Sequence, residues 1–158
     1  MKRVNCILID CDFIRYMDRI KELEQDRTFC HHDMSHLLDV CRIAWILNLE
    51  EGLFIDQEMI YAAGLLHDIG RWKQYETSED HAIVSRQLAG NILTRCGFSN
   101  DEKNLIMEAI ESHRKKDHRA ALSSILYKSD KLSRPCFSCE ARGQCKKFQN
   151  GEQPVLIY

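Results

Sequence analysis

Residues 61–75 read YAAGLLHDIGRWKQY, and this stretch decides how the chain is understood. It opens with small and apolar residues, the composition of a helix packed on more than one side. Leu65 and Leu66 point that helix into a core. His67 and Asp68 then follow side by side, with Gly70 just beyond. A carboxylate at that place needs a partner, because an isolated buried charge costs on the order of several kcal/mol.

Working outward, one helix follows another. The first is predicted from about Asp10 to Gln25, through Phe13, Ile14, Met17, Ile20 and Leu23. The second spans about Asp33 to Leu49, before the stop EEG. The third starts after Asp56, a suitable N-cap, and reaches His67 or Asp68 before Gly70. The fourth starts near Ser78, with Glu79 and Asp80 in its first turn, and ends before Gly97. The fifth follows Ser99 and Asn100 to about Ser112. The sixth covers about Arg119 to Leu132 and stops before Pro135. No segment alternates apolar and polar residues, so the expected class is an all-α compact helical bundle. The domain boundaries are set at 1–133 for the helical part, with a core from about 29, and 134–158 for an irregular cysteine-containing extension.

The 158 residues suffice for one domain with one core, and 44% apolar content is ordinary for a globular chain. A net charge of −2 provides no basic field, which speaks against broad nucleic-acid binding. The opening MKRVNCILIDCDF holds an apolar run broken by Asp10 and Asp12, too short for a signal peptide or a membrane span. The expectation is a cytoplasmic protein without membrane contact, its eight cysteines mostly reduced thiols or metal ligands. Cys41 and Cys96 read as helix packing and helix-end structure. Oligomeric state is open, with a homo-oligomer compatible.

Helical spacing sorts the polar residues onto faces. His36 shares a face with Val40, Ile43 and Leu47. His81 aligns with Val84, Ser85, Leu88 and Ile92. His113 follows Ile106, Ala109 and Ile110, and Asp130 lies beside Leu122 and Leu126. Any one such histidine is ordinarily a hydrogen-bonded core residue. Four helices that all aim imidazole or carboxylate inward, together with His67 and Asp68, point instead to a divalent ion held in the bundle. Neighbours on a helix diverge by about 100°, so an ion near the helix end can sit between His67 and Asp68. The second oxygen of Asp68 can reach another ion, and Gly70 lets the chain turn away close by.

The ordered residues His36, His67–Asp68 and Asp130 resemble the HD superfamily of metal-dependent phosphohydrolases. Local phrases carry the same likeness: HHDMSHLLDVCRIA, AAGLLHDIGRW, HAIVSRQLAG, AIESH and YKSDKLSR, from about Phe29 to Ser133. The resemblance implies that His36, His67, Asp68 and Asp130 hold one metal. His81 and His113 match the two extra histidines of two-metal members, a pattern similar to bacterial hydrolases of diadenosine tetraphosphate. It implies a cofactor of one or two divalent ions: iron or manganese, or else zinc, magnesium, nickel or cobalt. It also implies hydrolysis of a small phosphorylated, nucleotide-type substrate by metal-activated water, with Asp68 and Arg71 as catalytic residues. His32, Arg71, Arg114 and Arg134 are the candidate substrate contacts, since a guanidinium fork suits phosphate. For Arg71 the alternative is a surface cation at a helix end. Trp72 and Tyr75 either stack on a base or pack on the bundle. His31 and His118 read as solvated loop residues.

Cys136, Cys139 and Cys145 form C-x2-C-x5-C in the extension, a candidate second metal site for zinc or an iron–sulfur cluster, with the fourth ligand left open by spacing among Cys30, Cys6, Cys11 and His31. Three functions compete at this stage. They are a phosphohydrolase, a non-catalytic HD module that senses a nucleotide or metal, and a redox or scaffold protein centred on the tail. The intact ligand set favours the first.

Overall fold

A computed structural model describes residues 1–117 and 120–158. Among these residues are eight α-helices: α1 (Lys2–Leu8), α2 (Cys11–Leu23), α3 (Met34–Glu50), α4 (Gln57–Leu66), α5 (Arg71–Thr77), α6 (His81–Arg95), α7 (Asn100–Ser112) and α8 (Ala121–Leu132). Three short 3-10 turns follow between Cys136 and Phe148, and the described residues contain no strand. The all-α expectation holds, and so does the irregular tail. The expected start of the last helix at Arg119, and the loop residue His118, lie outside the described residues.

Local chemistry sets the helix starts. The side chains of Asp10, Asp33, Asp56, Asp80 and Ser99 each accept from N–H groups of the turn they open. At Ser99 the Glu102 side chain returns the bond to complete a capping box. Two short helices escaped the sequence reading, α1 and α5, each of seven residues. Helices this short do not form on propensity alone and depend on packing. In α1 that packing is Val4 and Ile7, both buried, against α4. The fourth predicted helix begins at His81 rather than near Ser78. Ser78 ends α5 in the left-handed region, at φ 65°.

Helix α4 lies at the centre. It packs against α1, α3, α6, α7 and α8, and seven of its ten residues are buried. Leu65 and Leu66 are fully buried, a contribution of about 1.5–3 kcal/mol each. Gly64 allows α3 to come close, since a Cβ there would stand 2.5 Å from Cys41 Sγ. Cys41 is packed in the core as expected. Cys96 is more than helix-end structure: it forms a disulfide with Cys6 of α1, with Cα atoms 5.5 Å apart, and the other six cysteines are free. Among the described residues, no helix is long and apolar enough to cross a membrane.

Candidate metal centre

The bundle delivers its polar residues to one place. His36 lies in the first turn of α3, His67 and Asp68 follow the end of α4, His81 opens α6, His113 ends α7 and Asp130 lies on α8. Ligand atoms of His36, His67, Asp68 and Asp130 lie within 4.8 Å of one another, and so do those of Asp68, His81 and His113. Asp68 belongs to both groups, and its oxygens divide between them. Oδ2 stands 3.2 Å from His67 Nε2 and 3.9 Å from His36 Nε2. Oδ1 stands 3.1 Å from His81 Nε2 and 3.7 Å from His113 Nε2. Asp130 Oδ1 completes the first group at 3.6 Å from His36 Nε2.

Outer contacts orient the rings. The Nδ1–H of His67 donates to Gly64 O at 2.7 Å, that of His113 to Ile110 O at 2.6 Å and that of His81 to Gln74 Oε1 at 2.7 Å. The hydroxyl of Ser133, which donates to Asp130 O, stands 3.3 Å from His36 Nδ1. Each Nε2 therefore turns a lone pair toward the centre, the arrangement by which a carbonyl or carboxamide behind a ring presets a metal ligand. His36 Nε2, His67 Nε2 and Asp68 Oδ2 are buried and have no hydrogen-bond partner. Buried polar atoms are rarely left so. Three of them facing one another fit a cation, and the donor set of imidazole and carboxylate suits manganese, iron or zinc.

The electrostatics agree. Burial pushes His36 down to about 4 and His113 to about 3, and lowers His81 as well. These rings stay neutral, as ligands must. Burial acts the same way on His67, but Asp68 and Asp130 overcome it and raise that ring. Burial would raise both carboxyls. The adjacent His67, with Arg71 for Asp68 and Arg134 for Asp130, instead holds them below the usual range.

A cavity of about 540 Å³ opens beside the centre. His32, His36 and Ser133 line its inner end, and Arg27, Arg71, Arg134 and Arg142 give its wall a cationic character. Arg71 is neither on the end of α4 nor a free surface cation. It begins α5, with Nε on Asp68 Oδ1 at 3.1 Å and Nη1 on Gln74 at 3.2 Å. Arg134 reaches Asp130 at 3.3 Å, and Lys131 also pairs with that carboxylate. His32 stands outside both ligand groups. Its Nδ1–H donates to Glu24 Oε1 at 2.5 Å, and its Nε2 is 3.7 Å from Asp68 Oδ2. Arg114 does not line the cavity; it is exposed and pairs with Asp80 at 3.3 Å. Of the aromatic pair, Trp72 stacks on Tyr16, and the Tyr75 hydroxyl donates to Glu24 at 2.5 Å, so both are engaged within the bundle.

Sequence reasoning missed Glu24, Gln74, Arg27 and Arg142. Glu24 lies at the end of α2 yet is buried. Burial alone would raise its carboxyl, but hydrogen bonds from His32 and Tyr75 bring it down to about 2. Its spacing from the other acidic residues carries no signal of that role. Gln74 sits three residues after Arg71, a helical spacing that would have been readable had α5 been recognised. The tail cysteines Cys136, Cys139 and Cys145 line the same cavity. Among the described residues they do not draw together into a compact ligand group.

Known proteins are similar to this chain. The HD domain family model matches residues 34–142. An uncharacterized protein of Clostridium beijerinckii is 42% identical over 145 residues, 92% of each chain. Ribonuclease Y of Mycoplasma mycoides is 25% identical over 134 residues, and the match spans 84% of this chain but only 29% of the ribonuclease. The crystal structure of a predicted HD superfamily hydrolase from an uncultured Thermotogales bacterium superposes with a TM-score of 0.62 at 25% identity, over 89% of this chain and 78% of that one. With its histidines and aspartates gathered in one bundle and a family match over most of its length, this chain belongs to the HD domain family.

Proposed function

We propose that this chain is a metal-dependent phosphohydrolase that splits a phosphate ester or anhydride in a small nucleotide-type substrate. The observation that carries the reading is Asp68, whose two oxygens face two separate groups of imidazoles beside an arginine-lined cavity. His36, His67, Asp68 and Asp130 would hold one divalent ion, and Asp68, His81 and His113 a second. Such ions supply Lewis-acid polarisation of phosphoryl oxygens and acidify water to near neutrality.

The chain's own side chains do the remaining work. Arg71 has Nε and Nη1 engaged and lines the cavity, which leaves Nη2 to meet a phosphate oxygen. Arg134 orients Asp130 and adds positive charge to the same wall. His32, with its Nδ1–H committed to Glu24, offers Nε2 as an acceptor next to Asp68, where it can orient an attacking water. Support for a nucleotide comes from the relative named ribonuclease Y, whose substrate is a nucleotide polymer. A net charge of −2 and a cavity of about 540 Å³ favour a small molecule over a long strand.

The test is a panel of nucleoside phosphates, dinucleoside polyphosphates and phosphate monoesters, with Mn²⁺ or Fe²⁺, on the wild type and Asp68→Ala. Turnover lost in the variant supports the reading. No turnover of any compound at full metal loading would leave the chain as a sensing module.

A further inference from the structure

Four of the six free cysteines, Cys30, Cys136, Cys139 and Cys145, line the same cavity, outside both His/Asp groups. We propose that these four thiolates form a second metal site, which holds an iron–sulfur cluster in the cavity lining. Cys30 comes from the loop between α2 and α3 and supplies the fourth ligand that the tail motif lacks.

The tail itself asks for such a site. Its cysteines stand at the corners of successive 3-10 turns. Cys136 opens the first turn, Cys139 joins the first to the second at φ −76° and ψ 117°, and Cys145 joins the second to the third at φ −78° and ψ 126°. None of the three turns buries a residue. A segment with no buried apolar side chain has little to offset the entropy of ordering it. Metal–thiolate bonds provide that stabilisation in small coreless units.

The cysteine sulfurs are not gathered closely enough to grip a single ion as they stand. Among the described residues no three of these thiols have sulfurs within 4.8 Å of one another. A tetrahedral zinc with Zn–S near 2.3 Å would need sulfurs only about 3.8 Å apart. A four-cysteine iron–sulfur cluster is a larger body that bridges more widely spaced thiolates. Arg27, Arg134 and Arg142, which line the same cavity, offset the negative charge of such a centre, and Arg27 Nε holds the Cys30 carbonyl at 2.8 Å.

The experiment uses the full chain, purified without oxygen and reconstituted with ferrous iron and sulfide, then desalted. Acid-labile sulfide is the deciding readout, because the His/Asp centre binds none. About two or four sulfides per chain, for a two-iron or a four-iron cluster, with visible charge-transfer absorption are expected. Cys30→Ser and Cys139→Ser should each lose both signals with helical circular dichroism unchanged, while Cys11→Ser and Asp68→Ala keep them. Absence of sulfide and colour in the reconstituted wild type overturns the proposal whatever the variants do. So does full retention in Cys30→Ser, or a Cys136–Cys139 disulfide in place of a metal. One zinc per chain held by the same cysteines would overturn the cluster assignment.

Discussion

His81 and His113 face each other through their Nε2 atoms at 3.3 Å, although each ring already donates its Nδ1–H elsewhere, to Gln74 and to the Ile110 carbonyl. Two lone pairs therefore meet in a buried place beside Asp68 Oδ1, and a cation between them turns that repulsion into ligation.

Chelation is accordingly expected to lower thermal stability, and added Mn²⁺ to restore it, by about 2.7 kcal/mol when the ion is at a hundred times its Kd. The double variant H81A/H113A should bind about one ion fewer per chain than wild type by elemental analysis. An unchanged count would mean that these rings belong to no metal site.

Glu24 makes a pH prediction. Its carboxyl titrates near 2 in the fold against an ordinary 4.5, so the native state keeps it charged where the unfolded chain takes up a proton. The stability it contributes is present above about pH 4.5 and is lost as pH falls toward 2. Glu24→Gln should flatten that part of the curve, as followed by denaturant unfolding at stepped pH. Because Glu24 also orients His32, the variant should lose about 10–100-fold in activity at neutral pH. An unaltered acid limb would refute the assignment.

Gly70 is needed for space and not for backbone conformation. Its φ of −88° suits any residue. A Cβ there, however, would stand 2.6 Å from Ser85 N and 2.8 Å from the His81 carbonyl. Main-chain atoms of α6 cannot swing aside as a side chain would. Gly70→Ala should cost about 1–3 kcal/mol in chemical denaturation and, by displacing His81, should weaken the ion held with His113. Wild-type stability in this variant would contradict the close approach.

Arg71→Lys keeps the charge but loses the fork that spans Asp68 and Gln74. A hydrogen bond to a charged group contributes about 1.5–3 kcal/mol, so kcat/KM on the best substrate from the panel should fall roughly ten- to a hundredfold. Equal kcat/KM for both proteins would remove Arg71 from the phosphate contacts.

Much of this protein was legible in one dimension. The apolar run before His67 and the Asp and Ser caps placed most of the long helices, because caps and periodic faces act over a few residues. The inward faces of His36, His81 and Asp130 followed from the same periodicity. What local spacing does not carry is anything set by contacts between distant segments. Helix α1 exists through its packing on α4, and the Cys6–Cys96 disulfide joins residues 90 apart in sequence.

The amino-acid order by itself determined that this chain is a helical bundle with imidazoles and carboxylates turned inward, since helix periodicity alone assigns each of them a face. Only the tertiary structure decided that the two oxygens of Asp68 look to different groups of histidines, that Glu24 stands behind His32, that Arg114 pairs with Asp80 away from the cavity, and that Cys30 lines the same cavity as the tail cysteines. The reason is geometric. A helix directs its side chains through local rules, but which directions meet depends on how separate helices pack, and that is settled by the core they share.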